Sequence, residues 1–161
     1  MNSKEYNQSV DLYSDNVYRF ILKNIRDEER AHDIVQDSYE KLSVNAENVN
    51  AEKVKSYLFT TAYHTMIDII RKEKRQSSIE DYQVPEDTHD EQYSDLSEVL
   101  DEAVKRLPDI QRTVILLRDY EGYSYKEIGE VTFLSEAQVK VYIYRARVFL
   151  KSYIGKMELV I

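Results

Sequence analysis

The chain has 161 residues, 42% hydrophobic and 32% charged, a balance typical of a globular protein with one ordinary domain or two small ones. Only three glycines and two prolines occur, too few for the many tight turns of an all-β fold, so the composition favours an all-α protein. The lack of cysteine excludes disulfides and cysteine-ligated metal sites.

The net charge of −8 argues at first against binding to nucleic acid. The charge is concentrated, however, because residues 77–100 contain eight acidic residues and no Lys or Arg, which leaves the two flanks neutral in sum. This segment has no sustained apolar periodicity, as expected of an extended linker. We therefore predict two small helical domains, residues 1–76 and 97–161, joined by a flexible acidic linker at residues 77–96.

Three apolar stripes at helical spacing predict three helices in the first domain, with Asp27 and Asn50 as N-caps of the second and third. An amide-rich loop at residues 43–50 separates these two helices.

On the third helix, five side chains lie off the apolar stripe and are predicted to be exposed: Lys55, Phe59, Tyr63, His64 and Ile67. Exposed rings among basic groups suit stacking on unpaired bases, whereas a peripheral core position is the alternative for each ring. The basic run at residues 71–75 either adds phosphate contacts or only complements the helix dipole.

The second domain is predicted to hold four helices, the last two of which begin with S-x-x-[EQ] capping boxes at Ser124 and Ser135. A tight turn at residues 132–134 fits between them, and this spacing is typical of a helix-turn-helix. Residues 138–151 of the last helix include four basic residues and no acid. Such a helix can enter a major groove, and a merely solvated basic face is the alternative.

Three runs of the chain resemble segments of the extracytoplasmic-function (ECF) type of RNA polymerase sigma factor, in the sigma-70 superfamily. Residues 31–39 (AHDIVQDSY) resemble the segment that docks on core polymerase. Residues 54–72 resemble the segment that opens and reads the −10 promoter element. Residues 107–147, with Leu107-Pro108 and Gln111-Arg112, resemble the helix-turn-helix domain that reads the −35 element.

The resemblance implies a sigma factor that binds core RNA polymerase and directs promoter recognition, DNA melting and transcription initiation. Its partners would be core RNA polymerase and promoter DNA, and an anti-sigma factor is a common further partner in the family. It implies no catalysis, no cofactor and no metal.

The resemblance also implies site residues. Contacts to core polymerase are expected from Asp33, Gln36 and Asp37. Contacts to the −10 element are expected from Asn45, Asn48, Asn50, Lys55, Ser56, Tyr63, His64, Arg71, Lys74 and Arg75. Contacts to the −35 element are expected from Ser135, Glu136, Gln138, Lys140, Val141, Tyr142, Tyr144, Arg145 and Arg147.

The chain departs from the family pattern at several positions. His64 replaces the usual asparagine, Gly129 stands for alanine, and Phe133 stands for the usual turn glycine. If the turn keeps the family's form, Phe133 adopts a left-handed conformation at a steric cost. Val141 and Tyr142 replace Ser-Arg, which removes a basic contact and offers an apolar contact to thymine methyl groups.

The polar N-terminal residues lack the apolar core of a signal peptide, and no apolar run approaches the length of a membrane span. We therefore expect a cytoplasmic protein without membrane insertion or a small-molecule substrate. Two alternatives are a different helix-turn-helix regulator, which would need a dimer interface and an effector site, and an enzyme, because His64 and Asp68 could imitate metal ligands. No HExxH motif supports the enzyme.

Overall fold

The computed structural model describes residues 1–77 and 96–158, so nearly all of the predicted acidic linker lies outside the described residues. Seven α-helices follow one another in these ranges: α1 (Ser3–Ile25), α2 (Glu28–Val44), α3 (Val54–Ser77), α4 (Leu96–Lys105), α5 (Asp109–Ile115), α6 (Tyr125–Thr132) and α7 (Glu136–Glu158). The described ranges contain no strand, and the prediction of an all-α fold is confirmed. None of the described helices combines the length and apolar character needed to cross a lipid bilayer.

Helices α1, α2 and α3 pack against one another, and local capping defines where they begin. The Asp27 carboxylate accepts a hydrogen bond from the Arg30 amide at 3.1 Å, so the predicted N-cap of α2 is confirmed. The predicted cap at Asn50 is wrong, because its side chain makes no capping bond and α3 begins only at Val54. Instead, the amide of Lys53 donates to the Asn50 backbone carbonyl at 2.9 Å, forming a 3₁₀ turn before the helix.

The second group contains α4 to α7, and one guanidinium fixes the corner between α4 and α5. Arg112 is mostly buried and donates to three carbonyls where α4 ends, those of Val104 (3.2 Å), Lys105 (2.9 Å) and Leu107 (2.6 Å). It also donates to the Asn24 carbonyl of α1 at 3.3 Å. A planar fork with five donors can serve all of these acceptors together, so Arg112 orients the second domain and ties it to the first.

Replacing Arg112 with Lys should lower the free energy of unfolding by about 2–4 kcal/mol, because an ammonium keeps the charge but cannot reach all of these carbonyls. Urea denaturation followed by circular dichroism measures the change. Arg71→Lys on the exposed end of α3 is the matched control and should change stability by less than about 0.5 kcal/mol. Equal stability of the two variants would contradict this role for Arg112.

The two groups of helices share one hydrophobic core, in which α6 packs against α3. The Phe59 ring lies between Phe20 of α1, with ring centres 5.5 Å apart, and Tyr123 of the second domain, at 5.4 Å. Ion pairs also join α1 to the second domain, between Arg19 and Glu121 at 2.8 Å and between Lys23 and Asp101 at 3.0 Å.

This packing corrects the predicted exposure of two rings on α3. Phe59 is completely buried and Tyr63 is 6% exposed, although both lie off the apolar stripe that the sequence predicts. Apolar spacing within α3 predicts only the face that packs on the first domain, whereas the second domain covers the adjacent face. Both rings are therefore core residues in this structure.

The hydroxyl of Tyr123 is buried and has no hydrogen-bond partner among the described residues, and burial raises the pKa of this phenol. Tyr123→Phe removes the desolvated oxygen and keeps the ring, so it should raise the free energy of unfolding by about 1 kcal/mol. Tyr123→Ala also removes the ring from the shared core and should lower it by about 3 kcal/mol. Thermal and urea unfolding of both variants test this, and a loss of stability in the Phe variant would be the opposite of the expected result.

Candidate nucleic-acid interface

Helices α6 and α7 form the predicted helix-turn-helix, and both begin with reciprocal capping. The Ser124 hydroxyl accepts from the Glu127 amide at 3.1 Å, and the Glu127 carboxylate accepts from the Ser124 amide at 3.0 Å. These hydrogen bonds lower the pKa of Glu127. Ser135 and Gln138 repeat the arrangement at 3.2 and 3.0 Å, so both predicted capping boxes are confirmed.

Two residues, Phe133 and Gly129, constrain the backbone of the turn between the two helices. Phe133 adopts the left-handed conformation that the sequence predicts, with φ 63° and ψ 23°. At Gly129 of α6, an added Cβ would lie 2.8 Å from the carbonyl oxygen of Leu134. The backbone after the turn therefore approaches α6 closely, and this approach explains a glycine at the position where the family usually has alanine.

Gly129→Ala should destabilise the chain by about 1–3 kcal/mol, because backbone atoms rather than a flexible side chain must shift. Gly155→Ala in α7 is the matched control, since a Cβ there meets nothing within 4 Å. It should stabilise the helix by about 0.5–1 kcal/mol. Unfolding curves for the two variants that shift in the same direction would contradict this explanation of the turn.

Helix α7 is anchored on one side and exposed on the other. Val139, Ile143 and Ala146 are buried against the rest of the domain. The exposed −35 candidates share the opposite faces and the capped N-terminus: Ser135, Glu136, Gln138, Lys140, Val141, Tyr144, Arg145 and Arg147. Tyr142 is half-buried, and the Arg145 guanidinium lies 5.9 Å from its ring centre.

A cationic cluster that the sequence reasoning missed lies beside this helix. A π-helical turn at Leu116–Tyr120 places Asp119 2.9 Å from the Arg147 guanidinium. Arg118 from the same turn lies 4.7 Å from the ring centre of Tyr125, and Lys140 lies 5.6 Å from that ring. A π-helical turn changes which way successive side chains point, so spacing rules for α-helices give no signal for this cluster.

The predicted polymerase-docking residues share one face of α2. Asp33 and Gln36 are exposed, while Asp37 is half-buried and its carboxylate lies 2.9 Å from the Lys41 ammonium. The three positions follow i, i+3, i+4 spacing, so the helix brings them together.

The −10 candidates fall into three places. Asn45, Asn48 and Asn50 are exposed in the loop after α2, where the Asn45 amide donates to the Tyr57 hydroxyl at 3.1 Å. Arg71, Lys74 and Arg75 are exposed near the end of α3. The third place is the earlier part of α3, which holds Lys55, Ser56, Tyr63 and His64.

The second domain covers this earlier part of α3. The Lys55 ammonium lies 4.9 Å from the ring centre of Tyr123, and Ser56 is half-buried. Tyr63 is buried, contrary to the predicted exposure. The His64 ring stacks on Phe133 with ring centres 4.2 Å apart, and its Nε2 lies 2.9 Å from the carbonyl oxygen of Val131. Lys55 and His64 are thus in contact with the second domain, and His64 contacts the helix-turn-helix itself.

Comparison with known proteins identifies the family. The model of Sigma-70 region 2 matches residues 10–76, and the model of Sigma-70, region 4 matches residues 97–150. The ECF RNA polymerase sigma factor SigM of Bacillus subtilis (strain 168) is 30% identical over 146 residues, which are 88% of this chain and 90% of SigM. The chain belongs to the sigma-70 family of RNA polymerase sigma factors. The sigma factor SigV of the same organism is 31% identical over 145 residues, 88% of this chain and 86% of SigV.

A solved structure shows the same fold. The sigma factor RpoE in its complex with the anti-sigma factor NepR from Bartonella quintana is 23% identical, with a TM-score of 0.80 over 94% of this chain and 98% of that chain. The fold predicted from the sequence, two small helical domains with a helix-turn-helix in the second, is confirmed.

The predicted ECF type and its function are confirmed as well. The chain is a sigma factor for promoter recognition in transcription initiation, and its partners are core RNA polymerase and promoter DNA. Sigma factors as a family are not enzymes.

Proposed function

We propose that this sigma factor divides its work between the two domains, with boundaries at residues 1–76 and 97–161 and the acidic linker between them. The first domain binds core polymerase and captures the −10 strand, and the second reads the −35 duplex. The chain itself catalyses no reaction, and it acts in the cytoplasm.

The face of α2 formed by Asp33, Gln36 and Asp37 docks on core polymerase. Two of these side chains are exposed, and the third is held by Lys41 at the same surface. Exposed carboxylate and amide groups on a rigid helix can form charge-assisted hydrogen bonds with a basic partner surface. This support comes in addition to the resemblance of residues 31–39 to the docking segment of the family.

The exposed face of α7 reads the −35 element, and its arrangement is the observation that best supports the proposal. The capped N-terminus of a helix attracts phosphate, while Gln138, Lys140 and Arg145 are long enough to reach base edges. Arg147 is held by Asp119, so it suits a fixed phosphate contact better than a mobile base contact. The remaining contacts come from Ser135, Glu136, Val141, Tyr142 and Tyr144.

The −10 strand contacts the loop after α2 and the exposed side of α3. Amide side chains in the loop can hydrogen-bond to the edges of a flipped base, and the basic end of α3 can follow the phosphate backbone. The residues proposed for this surface are Asn45, Asn48, Asn50, Lys55, Ser56, Tyr63, His64, Arg71, Lys74 and Arg75. The burial of Tyr63 means that its contact requires the second domain to move away.

An anti-sigma factor is a further partner that we propose for this chain. The RpoE structure with the same fold contains an anti-sigma factor. In this chain the two domains face each other with groups that we propose for DNA, such as His64, and an inhibitor would need to cover these groups. A protein inhibitor would also explain how a chain with two promoter surfaces is kept inactive.

The proposal is tested by association with purified core polymerase and by run-off transcription from a randomised promoter library. The unmodified chain should form a holoenzyme and select a promoter. Lys140→Ala and Arg145→Ala should each weaken holoenzyme binding to that promoter about tenfold, because a lost base contact is worth about 1–3 kcal/mol.

Lys156→Ala is the matched control, because Lys156 is exposed on the same helix but beyond the proposed interface. It should leave promoter binding within about twofold. A chain that does not associate with core polymerase would refute the proposed function. Equal losses at Lys140 and Lys156 would refute the assignment of the α7 face.

A further inference from the structure

The two surfaces proposed for promoter DNA contact each other through His64 of α3 and Phe133 of the helix-turn-helix turn. The rings are 4.2 Å apart at their centres and inclined by 26°, which is a stacked arrangement. The His64 Nε2 lies 2.9 Å from the Val131 carbonyl oxygen, so a protonated Nε2 donates a hydrogen bond to it. One face of the imidazole is thus covered by the turn and one edge by the end of α6.

Phe133 differs from a core residue in its exposure and in its backbone conformation. It remains 76% exposed, so its burial contributes little to the hydrophobic core. It also holds a left-handed backbone conformation, which disfavours every residue with a Cβ. Strained residues of this kind concentrate at functional sites and switches, where a contact that only they can make offsets the strain. Among the described residues, His64 is the only one whose ring stacks on Phe133.

The geometry of this contact is also that of a base on an aromatic platform. Unpaired bases bind by placing a flat π-face parallel to a protein ring, while polar groups bind the base edges and phosphates. His64 lies on the same helix as the basic residues near its end, and its spacing of seven and eleven residues from Arg71 and Arg75 puts the three on one side of α3. A base stacked on His64 would require the space that the Phe133 ring occupies.

We propose that Phe133 is an intramolecular substitute for an unpaired promoter base, which occupies the stacking site on His64 and adds to the contacts that hold the two domains closed in the free chain. This inference rests on the proposed −10 role of α3. It assigns His64 the stacking contact with one base of the captured strand. It also makes Phe133 an autoinhibitory residue, which must leave His64 before the strand can bind.

The remaining contacts between the domains are compatible with such an opening. Opening must break the Arg19–Glu121 and Lys23–Asp101 ion pairs, each of which joins a half-exposed side chain to a mostly buried one. It must also break the hydrogen bond from Arg112 to the Asn24 carbonyl. These polar groups regain water in the open arrangement, which offsets part of the cost of breaking the contacts. Burial of Phe59 against Tyr123 is the main apolar contact that opening must break. Binding to core polymerase can drive this change only if polymerase binds the open arrangement more tightly than the closed one.

The test uses the full chain without polymerase and measures two quantities. The first is the affinity for a fluorescein-labelled single-stranded DNA of randomised sequence, by anisotropy at low salt. The second is the distance between the domains, by energy transfer between dyes on Asn7→Cys and Lys151→Cys. Both positions are exposed, and the chain has no natural cysteine.

Phe133→Gly should raise the affinity for the single strand about fivefold and lower the energy transfer. It removes an aromatic contact worth about 1 kcal/mol, which corresponds to about fivefold in affinity. Phe133→Leu keeps the Cβ but not the π-face, so it should give the same direction of change. Phe133→Tyr keeps the ring and should behave as the unmodified chain. Far-UV circular dichroism verifies that each variant stays folded, and glycine suits the left-handed position.

His64→Ala separates the two parts of the proposal, because it releases the turn and also removes the platform. It should lower the energy transfer as Phe133→Gly does, without a gain in affinity for the single strand. A gain equal to that of Phe133→Gly would overturn the role of His64 in stacking. Unchanged affinity and energy transfer in Phe133→Gly would overturn the autoinhibitory role. Neither result depends on whether the chain associates with core polymerase, which tests the proposed function separately.

Discussion

Neither of the two small domains can bury its apolar surface alone. This constraint explains most of the structure. A domain of roughly 60–70 residues buries only about 60% of the surface that its unfolded chain exposes. Helix α3 packs against α1 and α2 and also against α6, so both domains bury its apolar surface. Contact between Phe59 and Tyr123 joins the two domains in one continuous core. The position of the helix-turn-helix follows from this contact.

The shared core has a functional consequence, because the face of α3 that packs on the second domain includes residues that we propose for DNA binding. A sigma factor needs its two promoter surfaces apart and accessible, whereas the free chain gains stability by packing them together. Polymerase must therefore contribute the free energy that separates them, through tighter binding to the separated arrangement. The face of α2 that we propose for docking lies outside the contact between the domains, since Asp33 and Gln36 are exposed. Polymerase can therefore engage this face first.

Local chemistry made much of the fold predictable, and long-range packing made the rest unpredictable. The capping box at Ser124 depends only on residues three positions apart, so the sequence reveals it directly. The wrong cap at Asn50 arose because a main-chain turn took over the task of a side chain. The burial of Phe59 and Tyr63 depends on a domain beyond the linker, which no periodicity within α3 can indicate. The Asp119–Arg147 pair was hidden by the π-helical turn.

The turn of the helix-turn-helix also limits how this protein could evolve. Gly129 accommodates the Leu134 carbonyl, and Phe133 holds the position that a glycine would occupy without strain. The two sites therefore differ in what they tolerate: a side chain at position 129 requires the backbone after the turn to move, whereas a glycine at position 133 fits the existing backbone without strain. Change is open at the second site and closed at the first, so variation in this turn should be found at position 133 before it is found at position 129.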